Sequence, residues 1–227
     1  MNKASDIGVV LKTTRYGDHS VVAHLFCRAS GQSTFFVRSF YSKKSAFRPL
    51  LQPLYILEVE SLEGNAGMHS LQTAAIARPL PDVASDPIKI SIAFYCAELL
   101  HKTIPESYVN TDWFDFVVNA LEVLEHEVAP ANYALWFTAR MCSWYGVLPS
   151  ALQLQEQLRL LYPHWSVERM APFVNAVVNG DYAELRVVTM AREERNAALR
   201  TFVQFLQMHA GTTLKLQSIE VLAELFG

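Results

Sequence analysis

Cysteine is scarce in this chain of 227 residues: Cys27, Cys96 and Cys142 lie far apart, each among apolar neighbours. No C-x-x-C pair is available as half of a zinc site, and the pattern fits reduced core thiols in a cytoplasmic protein. The seven histidines are scattered without i, i+4 pairs. Glycine is also sparse, at nine residues, and nothing matches GxGxxG or GxxxxGK[ST], so the phosphate loops of nucleotide-binding enzymes are missing. The Gly-x-Ser-x-Gly elbow of a hydrolase is missing too. No uncharged apolar run reaches ~18 residues, and the opening MNKASDIGVV has no signal-peptide core, so neither a membrane span nor secretion is expected. What remains is binding without catalysis, and no cofactor or metal.

Charged residues make up 18% of the chain and apolar residues 51%, a composition that folds. The overall charge of −3 hides an asymmetry. Residues 1–80 hold nine Lys and Arg against five acids, a net of +4, and the remainder holds ten against 17, a net of −7. A basic front and an acidic back point to a polyanionic partner for the front alone.

Up to residue 78 the apolar pattern has period two. Ile7, Val9 and Leu11 form one alternating run, Val21, Ala23 and Leu25 a second, and Phe35 and Val37 a third; Leu54–Glu60 and Met68–Ile76 supply two more. Turn residues separate them at Tyr16-Gly17-Asp18, Ser30-Gly31, Pro49 to Pro53 and Glu63 to Gly67. Five short strands with one longer connection predict an OB-fold β-barrel over residues 1–80. After Arg78-Pro-Leu-Pro the period becomes helical, and Asp86-Pro87 gives a cap followed by proline at the first helical position. Residues 81–227 are expected to form an all-α domain for protein interactions. Its helices begin near Ile88, Trp113, Tyr133, Met190 and Ser218, the last reaching Phe226, with two or three short ones across 150–188 broken near Pro163 and Gly180. The whole is an α+β multidomain architecture.

The segment from Gly31 to Pro53 contains no acid and interleaves aromatics with cations. Cations hold phosphates and aromatic faces receive unstacked bases, so Lys12, Arg15, Arg38, Lys43, Lys44 and Arg48 are candidate DNA-binding residues, with Tyr41 and Phe47 as stacking partners. Asp112, Asp115, Glu122 and Glu125 lie mainly opposite the apolar stripe of Trp113, Val117, Leu121 and Leu124, where a solvated face explains them better than a metal-dependent nuclease. The run Arg192-Glu-Glu-Arg195 reads as a solvated, dipole-complementing helix start, with the arginines as a possible receptor for an acidic peptide.

Longer motifs go further. Gly8-Val-Val-Leu-Lys-Thr-Thr-Arg-Tyr-Gly-Asp18, Leu25-Phe-Cys-Arg-Ala-Ser-Gly31, Lys43-Lys44-Ser45 and Leu51-Gln52-Pro53 occur in order, followed by Trp136–Pro149 and Met190-Ala-Arg-Glu-Glu-Arg-Asn196. In sequence and spacing the chain resembles the RecO family of bacterial recombination mediators, especially its shorter Bacteroidetes forms. The resemblance implies binding of single- and double-stranded DNA, annealing of complementary strands, and help in loading RecA onto strands coated by single-strand-binding protein (SSB). It implies RecR and the acidic SSB tail as partners. Arg140, Arg192, Arg195, Arg200 and Lys215 are the cations available to receive that tail. Two departures stand out. Residues 150–188 hold no cysteine where many members carry a four-cysteine zinc finger, and Ser39 stands where many have glycine. The competing reading is a protein-interaction scaffold whose barrel binds a protein and not DNA; an RNA-binding barrel is a third.

Overall fold

The computed structural model describes residues 3–64, 68–210 and 214–225, and the chain divides into two compact units, Met1–His126 and Glu127–Gly227. The first begins with five strands: β1 (Lys3–Tyr16), β2 (Ser20–Cys27), β3 (Gly31–Val37), β4 (Ile56–Leu62) and β5 (Met68–Arg78). They close into a barrel in the order β1-β2-β3-β5-β4, antiparallel except where β3 runs parallel to β5. This is the five-stranded OB architecture. The 14-residue β1 serves both halves, pairing with β4 along Lys3–Val9 and with β2 along Gly8–Tyr16.

Alternation places Val10, Val21, Ala23, Leu25, Phe35, Val37, Leu57 and Val59 inside. A bulge between Val10 and Lys12 breaks the strict alternation, so Val9, Val10 and Leu11 are all buried while Lys12 returns to the outside. The β3–β4 connection supplies Phe40, Leu51 and Leu54 to the buried interior, with Phe47, Leu50 and Tyr55 packed beside them. Leu54 holds φ +63, fixed by its N–H donating to the Val10 carbonyl at 2.7 Å.

Three helices complete this unit: α1 (Pro81–Ser85), α2 (Pro87–Thr103) and α3 (Thr111–His126). Asp86 caps α2, its carboxylate accepting from the amides of Ile88 and Lys89 at 2.7 and 3.2 Å. The change from strand to helix thus falls near residue 80, whereas the compact division falls at 126, because these helices pack with the barrel. The solvated-face expectation for the acids of α3 holds for exposed Asp112, holds in part for half-exposed Asp115 and Glu122, and fails for buried Glu125. Asp115 accepts two hydrogen bonds from Arg28 at 3.1 and 3.0 Å, Glu122 pairs with Arg78, and buried Glu125 accepts the amides of Asp82 and Val83, both at 2.9 Å. Only Asp112 of the four lacks such a partner among the described residues; the others anchor α3 to the barrel and to α1. On α2, Phe94 is half-exposed, so the helix is not buried all round.

The second unit begins with a short 3-10 turn, Pro130–Asn132, and continues through α4 (Tyr133–Trp144), α5 (Ala151–Leu161), α6 (Val167–Asn179), α7 (Tyr182–Arg186), α8 (Arg192–Ala210) and α9 (Ser218–Leu225). Phe226 lies outside the described residues. Trp136 is buried, its indole donating to the Gly180 carbonyl at 2.9 Å, but Trp144 and Tyr145 are only half-buried. Glu194 is not solvated either. It accepts from Trp165 Nε1 at 2.6 Å, from the Ala191 amide at 2.7 Å and from Arg169 at 2.9 Å, tying α6 to α8.

Candidate nucleic-acid interface

The outer surface of β1, β2 and β3 carries three successive cross-strand rows. In the first, Val9, Phe26 and Gln32 are buried, with Phe26 packed against Trp113 and Phe114 of α3 at ring distances of 5.9 and 5.6 Å. In the second, Lys12, His24 and Thr34 mark a border: the His24 ring lies 4.7 Å from His101 of α2, while Lys12 is exposed. Burial, then the nearby Lys12, lowers the His24 pKa, and burial with the His24 and Lys12 charges lowers that of His101 to about 4. Both rings are therefore neutral at pH 7. In the third row Thr14, Val22 and Phe36 are exposed or half-buried. Helices cover one half of the sheet's outer surface and leave the other half open.

Aromatic rings and cations meet on that open half. Tyr16 packs edge-on to Phe36 at 5.5 Å, the Arg38 guanidinium lies 5.9 Å from the Phe36 ring, and that of Arg15 lies 5.7 Å from the Tyr41 ring. Tyr16 is 57% exposed and Tyr41 42%. Beyond Tyr41 the chain makes tight turns, the Ser42 amide donating to Ser39 O and the Ser45 amide to Ser42 O, both at 3.1 Å. These turns hold Lys43, Lys44 and Arg48 exposed while Phe40 anchors the loop beneath. Ser39 adopts φ +53, the left-handed conformation that favours glycine, which gives a physical reason for glycine at this position.

Among the described residues Lys12, Arg38, Lys43, Lys44 and Arg48 pair with no carboxylate, and Arg15 pairs with the exposed Asp18 at 3.4 Å while its Nε donates to the Gly17 carbonyl at 3.0 Å. The other three cations of the barrel sequence are committed, Lys3 to Glu60, Arg28 to Asp115 and Arg78 to Glu122. Phe47 is half-buried and packed on the barrel core, leaving Tyr41 as the more open ring of the predicted pair. Tyr16 and Phe36 were not singled out from the sequence. Tyr16 adjoins Arg15 and Phe36 alternates with Val37, but neither fact shows which outward surface the helices leave bare.

The helical candidates are more tied down. Arg192 donates to the Ala223 carbonyl at 2.8 Å and Arg200 makes two bonds to Glu220 at 3.0 and 2.8 Å, so both hold α9. Arg195 is half-buried, donating to Asn132 Oδ1 at 3.1 Å and Met190 O at 3.3 Å. Arg140 lies against Gly180 at the end of α6, and Lys215 is exposed just before α9. Among the described residues no group of three or more His, Cys, Asp and Glu is arranged to hold a metal ion. No described helix is long and apolar enough to cross a membrane.

Fold and surface together define a class: an N-terminal OB-type barrel with an open patch of cations and aromatic rings, followed in the chain by a helical region. Comparison with known families specifies it further. Residues 1–80 match the family model for the recombination protein O N terminal and residues 84–151 that for its C terminal. Similar proteins include the DNA repair protein RecO of Phocaeicola vulgatus, 27% identical over 97% of this chain and 98% of that protein. Those of Flavobacterium psychrophilum and Porphyromonas gingivalis are 25% and 27% identical, each over 96% of this chain and 97% of theirs. The chain belongs to the RecO family, whose role is in DNA repair and recombination.

Proposed function

We propose that this protein is a non-enzymatic mediator that binds single- and double-stranded DNA, anneals complementary strands and, with RecR, helps load RecA onto SSB-coated strands in the cytoplasm. One observation supports the DNA-binding step: Arg15 and Arg38 lie beside the Tyr41 and Phe36 rings on the open part of the barrel, with Tyr16 against Phe36, while Lys12, Lys43, Lys44 and Arg48 are exposed without a carboxylate partner among the described residues. Phosphates displace counterions at the cations, and unstacked bases lie on the rings. Such contacts carry little base information, so binding is weakly sequence-dependent. Neutralising two strands with base edges free lets them pair; no covalent bond changes, so no catalytic residue is required.

The experiment is fluorescence anisotropy with a labelled single strand over a range of salt. With about five phosphate contacts, log affinity falls against log salt with a slope near about −3.5, and replacing Lys43 and Lys44 by alanine reduces that slope by about 1.4. Salt-independent or absent binding would favour the scaffold reading, and clear preference for an RNA strand the RNA-binding one.

The acidic SSB tail is proposed to meet cations of the second unit. Arg192 and Arg200 already hold α9, so a tail bound there competes with Glu220 and the Ala223 carbonyl. Titrating a tail peptide against single charge reversals at Arg140, Arg192, Arg195, Arg200 and Lys215 tests this; unchanged affinity in all five removes the idea.

A further inference from the structure

The border row of the barrel's outer surface brings two imidazoles beside a lysine. Lys12, His24 and Thr34 lie side by side on β1, β2 and β3, and His101 of α2 sets its ring 4.7 Å from that of His24. Lys12 is exposed and both histidines are half-buried. The His24 Nδ1 lies 3.3 Å from the Thr34 hydroxyl, whereas the His101 Nδ1 is buried with no hydrogen-bond partner among the described residues. Packing alone does not explain two titratable rings next to a cation, one with an orphan nitrogen. The facing charges are Lys12 on β1, Glu106 in the connection after α2, and Lys102 and Glu98 on α2, the last two paired at 2.7 Å. The row stands two strand residues, about 7 Å, from the row that ends in Phe36, on the same outward surface.

We propose that Lys12, His24 and His101 form a phosphate subsite at the edge of the open half of the barrel, where a backbone phosphate of bound DNA holds one imidazole in its protonated form. The inference rests on the DNA-binding reading and deepens it, since a base stacked on Phe36 brings a neighbouring phosphate toward the border row. Both rings are neutral at pH 7 before DNA arrives, and a phosphate charge beside them opposes the burial and the Lys12 charge that keep them so. One proton is then taken from solvent as the phosphate binds. A second is excluded, because two imidazolium rings 4.7 Å apart repel. His24 carries the proton: Glu106 favours its charged form, whereas Glu98 near His101 is already paired with Lys102. Both rings project from hydrogen-bonded backbone, so side chains alone make the contact.

Anisotropy of the full chain with a labelled thymidine oligonucleotide, whose bases do not titrate between about pH 5.5 and 8, tests it at fixed salt. Affinity is expected to rise as pH falls, by up to about tenfold per pH unit for one proton taken up. His24→Gln and His101→Gln should each flatten that dependence, and His126→Gln, exposed at the end of α3, should not. Salt-dependent binding that ignores pH, or a pH response that persists in both variants, would overturn the inference and leave the DNA-binding reading standing. No binding at any pH would overturn both. Should a variant fail to fold, the imidazole proton resonances of the unsubstituted protein decide. At about pH 7 those of His24 must move toward the protonated position as oligonucleotide is added, and resonances that stay at the neutral position would equally overturn the proposal.

Discussion

Tyr16, Phe36 and Tyr41 show how single side chains on this barrel acquire a use. Their rings stay partly open because Tyr16 and Phe36 project from the outer surface of β1 and β3 and Tyr41 lies in the turn after β3, and Arg15 and Arg38 lie within 6 Å of two of those rings. Each of Tyr16→Ala, Phe36→Ala and Tyr41→Ala should weaken single-strand binding by about 1–3 kcal/mol with little change in salt slope. Phe47→Ala should instead lower the thermal midpoint, because Phe47 packs on the core. Anisotropy and thermal melting on the same four variants separate the two roles. The exposure of the candidate cations is legible in the sequence because lysines and arginines seldom bury unpaired. Sequence reading could not rank Tyr16 and Phe36 above Phe47, because which outward rows are covered depends on α2 and α3, far along the chain at Pro87–Thr103 and Thr111–His126.

At the scale of elements, long-range ion pairs decide what local periodicity misses. The acids of α3 looked like a solvated stripe because period 3.6 identifies the side opposite the apolar one but not what meets it. Arg28 and Arg78 reach them across separations of 87 and 44 residues. Glu194 gives a second example, a carboxylate in a charge-rich helix start that is nonetheless 8% exposed. Burial alone would raise its pKa. The donors Trp165, the Ala191 amide and His164, with the Arg169 charge, outweigh that and hold it below the ordinary 4.5. A carboxyl with a depressed folded pKa stabilises fully above the unfolded value and loses that stabilisation as pH falls through the folded one. Stability of the helical unit should therefore fall below about pH 4.5. Glu194→Gln should cost about 2 kcal/mol at neutral pH and flatten this acid dependence. Urea unfolding from pH 3 to 7 followed by tryptophan fluorescence checks both. The strands, the Asp86 cap and the helices around Pro163 and Gly180 were legible because alternation, capping and breakers are local.

For the molecule as a whole, net charge misleads. The first compact unit holds 11 Lys and Arg against 13 acids, a net of −2, yet its acids on α3 and β4 neutralise Lys3, Arg28 and Arg78 and leave the six candidate cations available. Segregation of charge within a unit, not its sum, is what a phosphate chain meets. Under the proposed function, the open half of the barrel, and not the helical unit, receives single-stranded DNA. Hydrogen exchange with and without a thymidine oligonucleotide tests it most directly. Slowed exchange confined to residues 12–20 and 34–48 is the predicted result; slowing confined to α4–α9, or none at saturating oligonucleotide, would contradict it.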